Sequence, residues 1–307
     1  MKLLTKNMQE VIAKQIYNKA RDIDVAVFNG LVEPEYKEFL LDCLFLYKNQ
    51  DGGFGNGLEI DNYNTNSSVY QTYEALRLLN MVGIDSSCQN ELLNEIMQKC
   101  GNYLFNRCKI VDGMWNPVEK SNNDFAHSME YHYSDDALNI WKFHPTAAIL
   151  GYILELTNPN KVYYKKAIKQ LGYVFSYYKD LECASMYDLI SLNSLIGSLK
   201  HVNLYPLEVK MLEEKLINFV EDKVKMDTCF DIASVLTNVE VPSNLYEALD
   251  KCLDEKIDSI KSHGLWEYKK DWGTDKYAEF DSAKLKWIGA TSVNEYYLLM
   301  HYNRLEK

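Results

Sequence analysis

Three of the six histidines of this 307-residue chain fall between residues 127 and 144. There "HSMEYHYSDDALNIWKFH" sets His127, Glu130, His132, Asp135 and Asp136 ahead of Trp141 and His144. Imidazole and carboxylate together suit zinc, manganese or iron. The spacing matches no common metal motif, however, and the same residue types make an ordinary solvated loop. A divalent metal is therefore allowed here but not favoured, and the sequence specifies no cofactor. His144 stands apart because Pro145 follows it, and proline fits the first turn of a helix. Either a cavity-facing base or hydrogen-bond donor, or a simple capping role, is open to it.

Two carboxylate pairs offer another chemistry. Glu59 and Asp61 stand in "GLEIDNYN", and Glu279 and Asp281 precede the last apolar segment. Glycoside hydrolysis needs an acid and a second carboxylate about 5–10 Å apart. Trp115, Trp141, Trp266, Trp272 or Trp287 could stack on sugar rings. Against this, Asp and Glu complement helix N-termini and cap them without any chemistry. Asp61 and Ser67 could simply hold a loop and start a helix. Still, "GLEIDNYN" carries more carboxylate and amide than capping needs, which places this loop at the mouth of a cavity.

The elements that must position these groups are helices. Residues 86–107 and 205–225 show apolar residues three and four apart with a polar opposite face. Residues 7–28, 33–48, 161–179 and 243–261 read the same way, as surface helices. Residues 146–156, 186–199 and 229–237 are apolar almost all round, and 67–79 and 291–302 approach this. Helices without a polar face belong inside others. The two classes alternate, so the expected fold is all-α. An inner ring within an outer ring satisfies both classes: an α/α toroid of about five to six helical hairpins, one domain over 1–307.

A loose repeat supports this organisation. "NQDGGFG", "IVDGMW" and "SHGLWEY" each follow a surface helix and place an aromatic soon after a glycine. Glycine permits the left-handed turn that ends a helix. Phe54, Trp115 and Trp266 are thus expected to be structural staples between repeats.

Composition excludes other classes. A net charge of −11 offers no basic face for nucleic acid. No apolar run is long enough to span a bilayer, and the start of the chain lacks the apolar core of a secretory signal. Seven scattered cysteines without a CxxC pair suit a reducing compartment, read mostly as small core residues. A cytoplasmic location is the expectation.

"QDGGFG" resembles the QxxDGGxG-type repeat of squalene–hopene cyclases and of protein prenyltransferase β subunits. "DGGFGNGLEIDNYNTNSS", "FHPTAAILGYI" and "GLWEY…W…WIGATSVNEYYLL" are closer still to a bacterial family with prenyltransferase/squalene-cyclase-like repeats. The resemblance spans most of the chain but fails from about 160 to 255. It implies a toroid with its site in a central cavity, near the starts of the inner helices. Free N–H groups and partial positive charge would converge there. On this chain those starts are 66–68, 143–146, 186–188, 229–231 and 290–292. The feeding loops hold Glu59, Asp61, Asp135, Asp136, Glu279 and Asp281.

The family's two chemistries fit poorly. Met114 stands in "VDGMW" where a zinc-binding cysteine would be needed, and a thioether does not replace a thiolate. The helix starts carry almost no Lys or Arg for a diphosphate. "MDTCFD" has Asp227 and Cys229 at the right spacing but lacks the surrounding motif. Neither "SDDA" nor "RDID" is the DxDD of a proton-initiated cyclase. What remains is a small, largely apolar or isoprenoid ligand in a central cavity, worked on by carboxylate acid–base chemistry. Glu59, Asp61 and His144 would act; Tyr70, Asp135, Asp136, Trp141, Glu279 and Asp281 would bind. A carbohydrate-active enzyme and a non-catalytic ligand- or protein-binding toroid are the alternatives. No protein partner is specified.

Overall fold

Buried helices and amphipathic helices separate as their apolar faces require. The structure, a computed structural model, describes residues 1–227, 229–268, 271–274 and 276–307. Its first half holds α1 (Lys6–Lys19), α2 (Asp22–Val32), α3 (Phe39–Phe45), α4 (Val69–Met81), α5 (Glu91–Asn102), α6 (Ala137–Trp141) and α7 (Thr146–Leu156). The second holds α8 (Val162–Asp180), α9 (Met186–His201), α10 (Pro206–Met226), α11 (Ile232–Val235), α12 (Tyr246–Asp258) and α13 (Glu279–His301). Among the described residues the only sheet is a two-stranded antiparallel ribbon, Ile110–Val111 with Met114–Trp115. The protein is all-α.

Every residue of α7 is buried, as expected for a segment that lacks a polar face. It packs on both α4 and α9; α9 reaches α11, α13 contacts α2, and α2 contacts α4. The amphipathic helices cover these from outside: α8 lies on α7, α10 on α9, α12 on α11 and α1 on α13. Helix α5 shows why, burying Leu93, Ile96, Met97 and Cys100 while its other face stays polar.

The structure departs from the expected segments in several places. Residues 7–28 form two helices, not one, because Ala20 and Arg21 are extended. The second of them is enclosed and buries Ile23, Val27 and Phe28. Arg21 donates both its backbone N–H and its guanidinium to the Asp24 carboxylate across the start of α2, which holds the new helix start there. The segment 33–48 yields a 3-10 turn and the short α3. Only four residues of 229–237 are helical. Helix α13 begins at Glu279, so residues 290–292 lie mid-helix and not at a helix start. The cysteines are free, but only Cys100 is buried; Cys183 and Cys229 are exposed, so the core reading holds poorly for them. No helix among the described residues is long and apolar enough to cross a membrane.

The Gly–aromatic repeat resolves into one local device used three times. Gly52, Gly113 and Gly264 have φ of 96°, 81° and 86°, values that favour glycine. Phe54, Trp115 and Trp266 then turn inward and are buried. Each donates its backbone N–H to a hydroxyl on an inner helix: Thr72 at 3.1 Å, Thr146 at 3.0 Å and Ser292 at 3.2 Å. The two indoles also donate Nε1–H back to the preceding outer helix region, to the Leu104 and Lys256 carbonyls. One aromatic thus ties an outer helix, its turn and the next inner helix together. Thr146→Val keeps the shape but removes the acceptor for the buried Trp115 N–H. The expected cost is about 1–3 kcal/mol, read as a lower urea midpoint at unchanged slope. An unchanged midpoint would show that the hydroxyl is dispensable.

Candidate functional site

The loop from residue 49 to 68 spends its amides on itself. Asp51 accepts from Gly53 N and Ser67 Oγ, and Asn49 Nδ2 donates to the Thr65 carbonyl. Asn64 accepts from Asn66 N and donates to Asn122 Oδ1. Gln71, on α4, receives Leu58 N and donates to the Asn64 carbonyl. Side-chain amides replace the backbone partners that an irregular buried loop lacks. The outcome is a rigid strap that carries Glu59 and Asp61 inward, 5% and 1% exposed.

Asp61 is held by three aromatic donors. Its Oδ1 accepts from Trp272 Nε1 and Trp287 Nε1, both at 2.6 Å, and its Oδ2 accepts from Tyr268 OH at 2.9 Å. The Tyr268 and Trp287 rings stack at 4.6 Å with planes 2° apart. Burial, then the Asp61 charge, push the Tyr268 phenol far upward, so it donates and does not ionise. Asp61 N in turn donates to Glu59 Oε1 at 3.1 Å. Asp61 is therefore an organiser of the loops around it.

His144 precedes α7 and is 1% exposed. Its ring packs against Trp141 and Tyr187, with centroids at 5.6 and 5.0 Å, those two rings also touch each other at 4.8 Å, and it meets the edges of Tyr70 and Tyr73. Nδ1 shares a 2.7 Å hydrogen bond with Ser191 Oγ on α9, while the buried Nε2 has no partner. Burial lowers its pKa to about 3, so the imidazole is neutral at physiological pH.

A cavity of about 690 Å³ brings these groups together. Glu59, Asp61, Tyr70 and His144 all line it, with walls from α2, α4, α9, α11 and α13. Tyr73, Tyr152, Tyr187 and Tyr268 add aromatic faces. Burial raises the Tyr70 and Tyr73 phenols well above their usual range and Tyr152 to about 12, which keeps them neutral donors.

Two guanidiniums also reach the wall, which the sequence did not suggest. Arg21 grips Asp24 with Nε and Nη2 at 2.9 and 2.8 Å. Arg77 meets Glu74 at 2.9 Å. Burial opposes both positive charges, and the paired carboxylates more than offset it. Arg21 was hidden by the unrecognised helix break, and Arg77 by its place near the end of a helix that reads as largely apolar. Farther along, Lys256 sits between Asp231 and Glu295, 2.9 Å from each.

The remaining sequence candidates stand elsewhere. Asp135 and Asp136 are exposed before α6, and Glu279 and Asp281 are exposed in the first turn of α13, Asp281 pairing with Lys284. None of these four lines the cavity. Trp141 contributes from behind, by stacking on His144. His127 Nδ1 donates to the Phe125 carbonyl, its Nε2 shares a hydrogen bond with His132 Nδ1, and burial lowers its pKa. Among the described residues no three His, Cys, Asp or Glu are arranged to hold a metal ion.

The chain matches no protein-family model and no curated protein significantly. Its site must be judged on its own geometry.

Proposed function

We propose that the chain is an α/α toroid of about five to six helical hairpins that acts on a small molecule in its central cavity by acid–base chemistry. The single observation behind this reading is that one cavity gathers Glu59, Asp61 and His144 from distant segments. Helices α2, α4, α9, α11 and α13, together with the turn leading into α7, all contribute lining, in support of an inner ring. Glu59 is the group proposed to exchange a proton with the ligand. Asp61 fixes the wall around it, and the neutral His144 lines the same cavity. A pure hydrocarbon would leave the Arg21–Asp24 and Arg77–Glu74 pairs and Asp61 facing it without water, which is costly. The polar wall therefore favours a ligand with polar groups over the all-apolar isoprenoid that the resemblance suggests.

The test is to incubate wild type and Glu59→Gln with a fractionated small-molecule extract and follow consumption by mass spectrometry. Wild type should deplete at least one compound, and Glu59→Gln, with an unaltered unfolding midpoint, should do so about 10²–10⁴-fold more slowly. Depletion at the same rate by both would remove Glu59 from the chemistry. No depletion by either would remove the enzyme reading.

A further inference from the structure

Helix α3 is apolar on both sides. Leu40, Leu41 and Leu44 are buried, yet Phe39, Phe45 and Leu46 stand 58%, 53% and 72% exposed. Phe39 and Leu46 lie two turns apart on one line, with Asp42 between them and Phe45 at the flank. Tyr36, in the 3-10 turn just before, is 43% exposed and stacks on Phe39 at 5.9 Å, which lengthens the line. From Tyr36 to Leu46 the stripe runs roughly 15 Å, the length of about three turns of a facing helix. The buried leucines already serve the packing of α3 on α2 and α4, so the core has no need of this second face. A contiguous exposed apolar stripe marks an interaction site, where isolated surface apolar residues do not.

The rim of the stripe is acidic. Glu33, Glu35, Glu38 and Asp42 are exposed, and Glu38 accepts from Asn90 on the neighbouring turn. Asp22 adds a further carboxylate: burial, then the Asp22 and Asp42 charges, hold the Cys43 thiol above its ordinary range. The nearby lysines are engaged. Lys37 Nζ donates to the Gly83 carbonyl at 2.8 Å, and Lys48 and Lys99 share Glu95. These carboxylates outnumber the ammonium groups two to one. The rings lean the same way, because aromatic faces attract cations. Phe45 already does so, with Lys48 Nζ 4.8 Å from its ring centre.

We propose that this stripe docks a helix of a partner protein that is apolar along one face and rich in Lys or Arg beside it. Leucine-sized side chains would cover Phe39, Phe45 and Leu46, and flanking cations would meet Asp42 and the glutamates. A second copy of the chain fits poorly, since symmetric pairing of two stripes sets Asp42 against its own counterpart. An anionic membrane is repelled by the same rim.

Fluorescence anisotropy with the full chain and a labelled helical peptide of about 14 residues tests this, the peptide having Leu at helical spacing and Lys elsewhere. It should bind one per chain, and the same peptide with Glu in place of Lys should bind at least 10-fold more weakly. The double variant Phe39→Ser, Leu46→Ser and the single variant Asp42→Lys should each weaken binding at least 10-fold at an unchanged urea midpoint, because these residues are exposed. Leu207→Ser, on the exposed face of α10, should leave the affinity as it is. No binding of the Lys peptide, equal binding of the Glu peptide, full affinity in the double variant, or equal loss in Leu207→Ser each overturns the proposal. So does sedimentation that shows a dimer which the double variant dissociates, for the stripe would then belong to a second copy.

Discussion

Replacing Asp61 with alanine is expected to destabilise the chain by about 3–5 kcal/mol, among the largest effects of any single change. The cost does not come from the carboxylate itself. It comes from the three donors left behind: Trp272 Nε1, Trp287 Nε1 and Tyr268 OH. An orphaned buried donor costs about 1–3 kcal/mol, and Trp272 at 1% exposure has no route to water. Trp287 and Tyr268 border the cavity and recover part of their loss from solvent there, so three full penalties do not add. Asp61→Asn retains an oxygen for the indoles and turns an amide toward Tyr268, for a smaller cost of about 1–2 kcal/mol. Guanidinium unfolding followed by tryptophan fluorescence distinguishes the pair, provided the slope is unchanged. An alanine variant within 1 kcal/mol of wild type would mean that the indoles find other partners and that Asp61 does not organise the wall.

The same residue shows what the sequence could and could not convey. Glu59 and Asp61 were legible because "GLEIDNYN" holds more polar groups than a loop needs, and a rigid irregular strap must satisfy them somewhere. Their partners were not, since Tyr268, Trp272 and Trp287 lie more than two hundred positions away and nothing in local spacing links them. The all-α class and the buried α7 followed from helical periodicity, which is a local property. The break at Ala20–Arg21 did not, because Arg21 reads as a surface residue until Asp24 closes the cap. That miss concealed an inner helix and one of the cavity's two arginines together. Glu279 and Asp281 resemble a catalytic pair in sequence, yet acidic residues in the first turn of α13 are explained by the helix dipole alone. His144 was singled out by Pro145, but its aromatic enclosure depends on Tyr70, Tyr73 and Tyr187 arriving from two other helices.

That enclosure makes His144 a source of acid sensitivity, and the sign follows from its burial. An ordinary histidine takes up a proton near pH 6.5, whereas burial holds His144 to about 3. Between those values the unfolded chain binds a proton that the folded chain refuses. The stability associated with this group is complete above pH 6.5 and is lost as pH falls toward 3, at about 1.4 kcal/mol per unit. Three carboxyl groups among the described residues work in the opposite direction. Burial raises Glu119 to about 7 and also raises Glu155 and Glu295, so each favours the folded state as pH falls. The wild-type curve alone therefore mixes opposing slopes, and the informative quantity is a difference between proteins. His144→Phe keeps a flat ring against Trp141 and Tyr187 and cannot titrate. Urea unfolding of both proteins should show the variant gaining about 3 kcal/mol on wild type between pH 7 and pH 4. The other groups cancel in that comparison because both chains share them. Parallel stability curves over this range would show that folded His144 takes up its proton as readily as an unfolded histidine, and that its burial does not hold it neutral.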